Sequence, residues 1–452
     1  MPASEQRFLS ALYTQEKMHT LKVARQAGAY AQAERVLKME PADVIAAVKA
    51  SNLRGLGGAG FPTGMKWSFV PPKGDRMHYL VVNADEGEPG TCKDKHIMRG
   101  CPHTLLEGII IACHAIHAEK AYIYVRGEYV RPMERLSAAI DEACAAGLLG
   151  ENHMGTGRRL VVVVHPGAGA YICGEETALI ESLEGKKGQP RNRPPFPAIE
   201  GLFRCPTVVN NVETIAYLPF IFEHGPEKWS EWGHNGSGGY RLMSLSGHVE
   251  RPGVYELPMG TPLMELIEKH GGGVWKGRGL KAVIPGGLSA PILRAEECAD
   301  ARLDFNTLRD MGTMAGSAGV IVIDDQTPMI DVMLNCAHFY HDESCGQCTP
   351  CREGTWWMYR IILRIAQGRG RLRDLDELVR IASNIEGNTI CAFGEAAAWP
   401  IRSYARKFRD ELAAFIESGE RSREADWHHE DRGAPPLIQI EGVGMPGVRA
   451  GV

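Results

Sequence analysis

Three cysteines spaced three residues apart (Cys345, Cys348 and Cys351, in the run Cys-Gly-Gln-Cys-Thr-Pro-Cys) and a fourth, Cys391, further along constrain this chain more than any other feature. Thiols at that spacing can face one point from a single tight turn. A fourth sulfur from a distant segment then completes the four-thiolate shell usual for a cuboidal iron–sulfur cluster. The other metal reading is zinc, but structural zinc sites usually take two separated pairs of ligands, whereas three of these four crowd one loop. A chain built this way folds residue 391 back onto residues 345–351 and is expected to move electrons one at a time. The remaining eight cysteines, Cys92, Cys101, Cys113, Cys144, Cys173, Cys205, Cys298 and Cys336, have no ligand spacing. They read as buried free thiols, because twelve cysteines in 452 residues are too sparse for a disulfide scaffold.

A length of 452 residues points to roughly three domains rather than one core. A net charge of -5 with no basic stripe argues against nucleic acid as a partner. The start, Met1-Pro2-Ala3-Ser4-Glu5, lacks the basic and apolar regions of a signal peptide. The most apolar stretch, Leu105 to Ala118, is interrupted by Glu107, His114 and His117 and falls short of the ~18 residues of a spanning helix. No direct membrane insertion is therefore expected; the chain is soluble or docked onto something in the membrane.

Residues 1–50 read as an N-terminal helical segment. From 51 to 238, short apolar strands (79–82, 121–125, 160–164) alternate with helices (105–117, 132–146, 175–183), the pattern of an α/β unit whose parallel sheet is covered on both faces. Residues 239–327 change to short alternating strands around one helix, Pro262 to His270, as in a small α+β module. Residues 328–418 return to amphipathic helices around the cysteines, and 419–452, charged and then rich in Pro and Gly, read as a flexible tail.

The polar residues of the α/β unit lie where such sheets bind ligands, beyond the carboxyl ends of strands. Asn83-Ala84-Asp85-Glu86-Gly87-Glu88 follows the first strand, and His165 to Glu176 follows the third. Taken alone the acidic run is a solvated turn; at a strand end its carboxylates can accept ribose hydroxyls. Gly174-Glu175-Glu176 reads as a helix start, with carboxylates suited to the helix dipole. Asn210-Asn211 reads as the cap of a helix opening at Val212, whose amides can equally bond a ring system. The segment Gly55-Leu56-Gly57-Gly58-Ala59-Gly60 satisfies G-x-G-x-x-G, but a helix precedes it, and Pro62 and Gly64 follow, so it lacks the strand-before, helix-after context of a Rossmann fingerprint. Such a loop still lets backbone N–H groups approach a flat ring or a phosphate, with Lys66 and Trp67 just beyond it.

Together, 53–64, 83–90, 169–177 and the cysteine motif closely resemble the flavoprotein subunit family of bacterial respiratory NADH:quinone oxidoreductase, complex I, in one register over about residues 45–417. The resemblance implies an FMN, a [4Fe-4S] cluster held by Cys345, Cys348, Cys351 and Cys391, and a site for NADH. The flavin would be surrounded by Gly55, Gly57, Gly58, Ala59, Gly60, Lys66, Asn83, Asp85, Glu86, Gly174, Glu175, Glu176, Asn210, Asn211 and Thr214. NADH would stack against Phe61 and Phe69, near Glu88, Tyr171, Glu176, Phe196 and Pro197. The middle module would be a ubiquitin-like β-grasp of the soluble ligand-binding type. The implied partners are peripheral-arm subunits, above all the thioredoxin-like [2Fe-2S] subunit and the large iron–sulfur subunit, at the cytoplasmic side of the inner membrane. The family's loop usually carries arginine where this chain has Leu56, so a positive charge near the cofactor is lost. Hydride chemistry of this kind is borne by the cofactors, and no general acid or base is assigned. Glu176 is expected to repel a 2′-phosphate and so to favour NADH over NADPH. The diaphorase subunit of an NAD-linked hydrogenase or formate dehydrogenase uses the same motifs and is the alternative. An assembly subunit without catalysis is a more distant one.

Overall fold

Four runs, β1 (Tyr79–Ala84), β2 (Lys120–Val125), β3 (Val161–Pro166) and β4 (Thr207–Asn211), form one parallel sheet in the order β3-β2-β1-β4. The structure, a computed structural model, describes residues 6–427. In β1 the two faces separate by parity. Leu80, Val82 and Ala84 enter a core shared with the buried helix Pro102–Ala115, while Tyr79 and Val81 enter a second core that includes the cysteine-bearing helices. A strand buried on both sides has no polar face to show, which is why it reads as a continuous apolar run.

β4 was not expected as a strand. It is five residues long and ends in Asn210-Asn211, whose cap signal dominates; the cap is also present, with the Asn211 side chain accepting from Glu213 N at 3.0 Å. Because β4 pairs with β1 on the side away from β2, chain order reverses at β1. Asn83 and Asn211 are register partners at the carboxyl ends of these strands. That reversal opens the crevice where such sheets take ligands. A short helix, Thr63–Trp67, does follow the glycine-rich loop, entered through Pro62. No strand precedes the loop: the helix Pro41–Ala50 does, so the Rossmann context is still missing.

The middle module is a five-stranded mixed sheet, order β6-β5-β9-β7-β8. Its strands are β5 (Tyr240–Gly247), β6 (Gly253–Pro258), β7 (Leu280–Ile284), β8 (Leu293–Arg294) and β9 (Gly319–Asp324), and β5 and β9 form a parallel pair. β7 and β8 are short and set among Gly and Pro, and the sequence pattern does not reveal them. The expected helix 262–270 is a turn of α-helix, Leu263–Glu265, continued as a π-helical turn, Leu266–His270. Helices Met329–Asp342, Thr349–Arg364, Arg373–Ile385 and Phe393–Lys407 make the last unit, with Arg409–Ser418 against them.

The described stretch of the expected flexible tail, 419–452, is partly packed rather than free. Ser422 and Ala425 are buried, and Ser422 N donates to Ala366 O at 2.8 Å; residues 428–452 lie outside the described residues. Of the eight non-motif cysteines, Cys144 is exposed and Cys92 and Cys205 are half-buried, so the expectation of burial fails for these three. No described helix is long and apolar enough to cross a membrane. Short N-terminal helices run from Leu9 to Ala50, and their start is clasped by the buried Glu256 of β6. Its carboxylate accepts from Phe8 N, Leu9 N, Ser10 N, Ser10 Oγ and Tyr217 Oη at 2.7–2.9 Å.

Candidate active site

The glycine-rich loop lies over the ends of β1 and β4. Arg54 and Pro62 pair across its base, Gly55 N donates to Phe61 O at 2.9 Å, and Leu56 N donates to Thr214 Oγ1 at 2.9 Å. From below, Asn210 Oδ1 accepts from Trp67 Nε1 at 2.8 Å. From the side, Asn83 Nδ2 donates to Gly174 O at 2.8 Å, drawing the turn after β3 against β1. Glu175 caps the helix Glu176–Leu183 by accepting from Thr177 N and Ala178 N, the role its position before an apolar run suggests. These contacts gather Gly55–Gly60, Lys66, Asn83, Asp85, Gly174–Glu176, Asn210, Asn211 and Thr214 at the carboxyl ends of β1 and β4.

Exposed glycine backbone beside an unpartnered carboxylate oxygen suits a flat ring with a polyhydroxyl tail. A Cβ at Gly58 would meet nothing within 4 Å, and Gly57 and Ala59 are exposed, so this wall is bare backbone. Asp85 is buried, and its Oδ2 has no hydrogen-bond partner. An orphaned carboxylate oxygen costs on the order of 1–3 kcal/mol, which a hydroxyl donor from a ligand relieves. Burial, against the opposing effect of Arg126 and with smaller help from the Glu128 and Glu343 charges, pushes the Asp85 carboxyl up to about 7.

Other expected residues are turned elsewhere. Glu86 is buried away from the crevice and accepts from Lys93 N, Asp94 N and Tyr129 Oη at 2.7–2.9 Å; burial and the nearby Asp94 push it up to about 7. The Asn211 side chain is likewise occupied, donating to Asp94 Oδ2 at 2.6 Å. Glu88 accepts from Ser289 N and Oγ, both at 2.7 Å, and from Tyr171 Oη at 2.6 Å; burial raises its carboxyl. The Tyr171 ring sits 5.1 Å from Phe339 and 5.8 Å from Phe393. Glu88 and Tyr171 together form a strut that joins the α/β unit, the middle module and the cysteine-bearing helices.

Glu176 does not stand as a bare negative charge. Lys66 Nζ lies 2.6 Å from Oε2 and Arg193 Nη2 3.3 Å from Oε1. Burial raises this carboxyl, but Lys66 and Arg193 outweigh burial and hold it below the ordinary value. Phe61, Phe69 and Phe196 are 45%, 53% and 57% exposed, and the Phe61 and Phe69 centroids lie 6.2 Å apart; Pro197 is buried and opens the helix Pro197–Glu200. Exposed aromatic faces at a crevice suit a stacked base or ring.

Several residues that matter here carry no sequence signal. Lys93 is fully buried between Asp94 Oδ1 and Glu213 Oε2, both at 2.8 Å, yet in sequence it is one charge in the ordinary-looking run Lys93-Asp94-Lys95. Arg241 is also buried; it donates to Leu56 O at 3.2 Å and to Gly316 O, tying a guanidinium to the backbone of the loop. Arg193 pairs with Glu175 as well as Glu176.

Cys345, Cys348, Cys351 and Cys391 line a single cavity with Pro190, Gln347, Thr389, Ile390 and Phe393. Gly346 takes φ +76° to turn the first thiol inward, and Cys348 and Cys351 flank the start of the helix Thr349–Arg364. Among the described residues no three Cys, His, Asp or Glu side chains converge on a point fit for one metal ion. Four thiols lining one cavity are the donor set usual for a [4Fe-4S] cluster.

Residues 48–219 match the family described as the Nuo51 FMN-binding domain, 241–323 the SLBB domain, and 331–415 the NADH-ubiquinone oxidoreductase-F iron-sulfur binding region. F subunit 1 of the NADH-quinone oxidoreductase of Rhizobium meliloti (strain 1021) is 54% identical over 387 residues, covering 85% of this chain and 88% of that protein. The F subunit of the same enzyme from Streptomyces coelicolor (strain ATCC BAA-471 / A3(2) / M145) is 50% identical over 408 residues, 90% of each. Among solved structures, a chain of an NAD+-reducing [NiFe]-hydrogenase in the H2-reduced state superposes with a TM-score of 0.80 at 36% identity, covering 92% of this chain and 67% of that one. With half its residues shared along nearly its whole length, the chain belongs to the family of NADH-quinone oxidoreductase F subunits.

Proposed function

We propose that this chain is the NADH-oxidising subunit of a respiratory complex I, passing electrons from NADH through FMN and a [4Fe-4S] cluster toward quinone. When bound, FMN accepts hydride from the nicotinamide and releases the two electrons singly. The protein's part is placement. Backbone N–H groups of the glycine loop and the Asp85 carboxylate hold the flavin, while Phe61, Phe69 and Phe196 stack the nucleotide. Glu176, with Lys66 and Arg193, meets its ribose, and the four cysteines hold the cluster. The observation that carries this reading is the pairing of open glycine backbone at Gly58 with the orphaned Asp85 Oδ2 just beyond β1. The hydrogenase alternative has less support, since this chain spans 67% of the hydrogenase chain but nearly all of its F-subunit relatives.

In this reading the units divide at about residues 51, 239, 328 and 419. The thioredoxin-like [2Fe-2S] subunit and the large iron–sulfur subunit are the neighbours, at the cytoplasmic side of the inner membrane. The test is a visible spectrum of anaerobically purified protein titrated with NADH. Bleaching of a flavin band, together with NADH-dependent dye reduction, is expected. A protein with iron but neither flavin absorbance nor dye reduction would be a non-catalytic assembly subunit instead.

A further inference from the structure

We propose that Ser344 is a positioning residue for the iron–sulfur cluster: its hydroxyl donates a hydrogen bond to the ligating sulfur of Cys351 and thereby raises the cluster's reduction potential. The inference rests on the four-cysteine loop holding the cluster. Ser344 directly precedes the first ligand, and its Oγ lies 3.3 Å from Cys351 Sγ. Gly346 N donates to the same Oγ at 3.4 Å, which takes up a lone pair and leaves the O–H to point at sulfur. A sulfur bound to iron carries no proton, so in the loaded protein only the serine can be the donor.

The serine is also held from both sides. Glu343 Oε2 accepts from Tyr171 N at 3.0 Å, and Cys345 O accepts from Gln189 Nε2 at 3.1 Å, so contacts from the flavin-binding unit hold the side chain before it and the backbone after it. One-electron reduction adds negative charge to the cluster and its sulfurs. A donor on sulfur favours that state, and hydrogen bonds to the sulfurs are among the factors that set such potentials. The electron comes from reduced flavin, or from the reductant in a titration, and the serine O–H bond stays intact throughout.

The experiment is an EPR-monitored redox titration of the cluster in the assembled complex, comparing wild type, Ser344→Ala and Ser344→Thr, with iron and labile sulfide measured per chain. In Ser344→Ala the oxidised-to-reduced ratio at a fixed potential is expected to rise about tenfold, a shift of ~59 mV to lower potential for one electron. Ser344→Thr, which keeps the hydroxyl, is expected to stay within about twofold of wild type. A fully loaded alanine variant with wild-type potential overturns the proposal, as does a threonine variant shifted as far as alanine. If the alanine variant takes up no iron, ENDOR of wild type and Ser344→Thr exchanged into D2O decides. An exchangeable proton coupled to the cluster in both supports the proposal, and its absence from wild type sinks it. Wild-type protein without iron or sulfide would refute the cluster reading itself, a different failure.

Discussion

Replacing Gly57 by alanine tests whether the glycine loop holds its shape because side chains are excluded from it. A Cβ at Gly57 would lie 2.9 Å from the Asn211 Cβ, whereas carbon atoms rest at about 3.5–4.0 Å, so something must move by roughly 1 Å. Asn211 is poorly placed to yield. Its side chain accepts from Glu213 N at 3.0 Å and from Lys93 Nζ at 3.2 Å, and donates to Asp94 Oδ2 at 2.6 Å. The loop moves instead, stretching the bond from Leu56 N to Thr214 Oγ1. Overpacking costs about 1–3 kcal/mol and a lost hydrogen bond about 1, so about 2–4 kcal/mol falls on the loop. Expressed as flavin affinity this is roughly 30-fold to 1000-fold. The assay is fluorescence titration of flavin-stripped protein with FMN, with a thermal melt to read stability separately. Gly55→Ala is the comparator, because its Cβ would come no closer than 3.4 Å, to Phe61 O, and its φ is not positive. Undiminished flavin affinity in Gly57→Ala would refute the reasoning. An equal loss in both variants would place the cause in the ligand's approach rather than in Asn211.

Glu176→Ala frees Lys66 from its carboxylate and leaves Arg193 only Glu175, and it is expected to raise NADPH turnover relative to NADH at least about tenfold, the factor for 1.4 kcal/mol. An unchanged preference would remove Glu176 from specificity. Cys391→Ala should keep FMN and artificial-acceptor activity but lose the iron–sulfur EPR signal, and normal iron content would show that the fourth ligand lies elsewhere. In flavin-free protein Glu86 binds its proton more tightly folded, at about 7, than unfolded, at its ordinary 4.5. Its contribution to stability is thus full below that lower value and is lost as pH rises through about 7. Thermal melts from pH 5 to 8 should show this slope in wild type and a flatter one in Glu86→Gln; equal slopes would count against it. Glu256→Ala strands the N–H groups of Phe8, Leu9 and Ser10 and should lower stability by about 3 kcal/mol or more, with faster proteolytic release of the N-terminal helices.

Much of this architecture was legible because its signals are local. β1, β2 and β3 are apolar on both faces and stand out between helices, and the cysteine spacing points to a cluster without reference to any fold. β4 was hidden by a competing local signal, since Asn211 is both the last residue of a strand and a helix cap. β8 escaped because a strand of two residues carries no alternation, and β7 because its short run is set among Gly277, Gly279, Pro285 and Gly286 and reads as turn. Composition alone does not reveal that Ser422 and Ala425, within the stretch read as a tail, find buried places.

By itself, the sequence determined the kinds of chemistry available: four thiols in a cluster spacing, a loop without side chains, carboxylates and amides at strand ends. Tertiary structure decided which of these groups are free to act. Asp85 and Glu86 are neighbours in the chain, yet Asp85 keeps an unpartnered oxygen while Glu86 is satisfied by Lys93, Asp94 and Tyr129. Glu176 reads as a lone acid but sits between two cations, one of them from a loop 17 residues away. A residue's type sets what bonds it can make, but the bonds it does make depend on donors brought by distant segments. In a buried site nearly every polar group must find one.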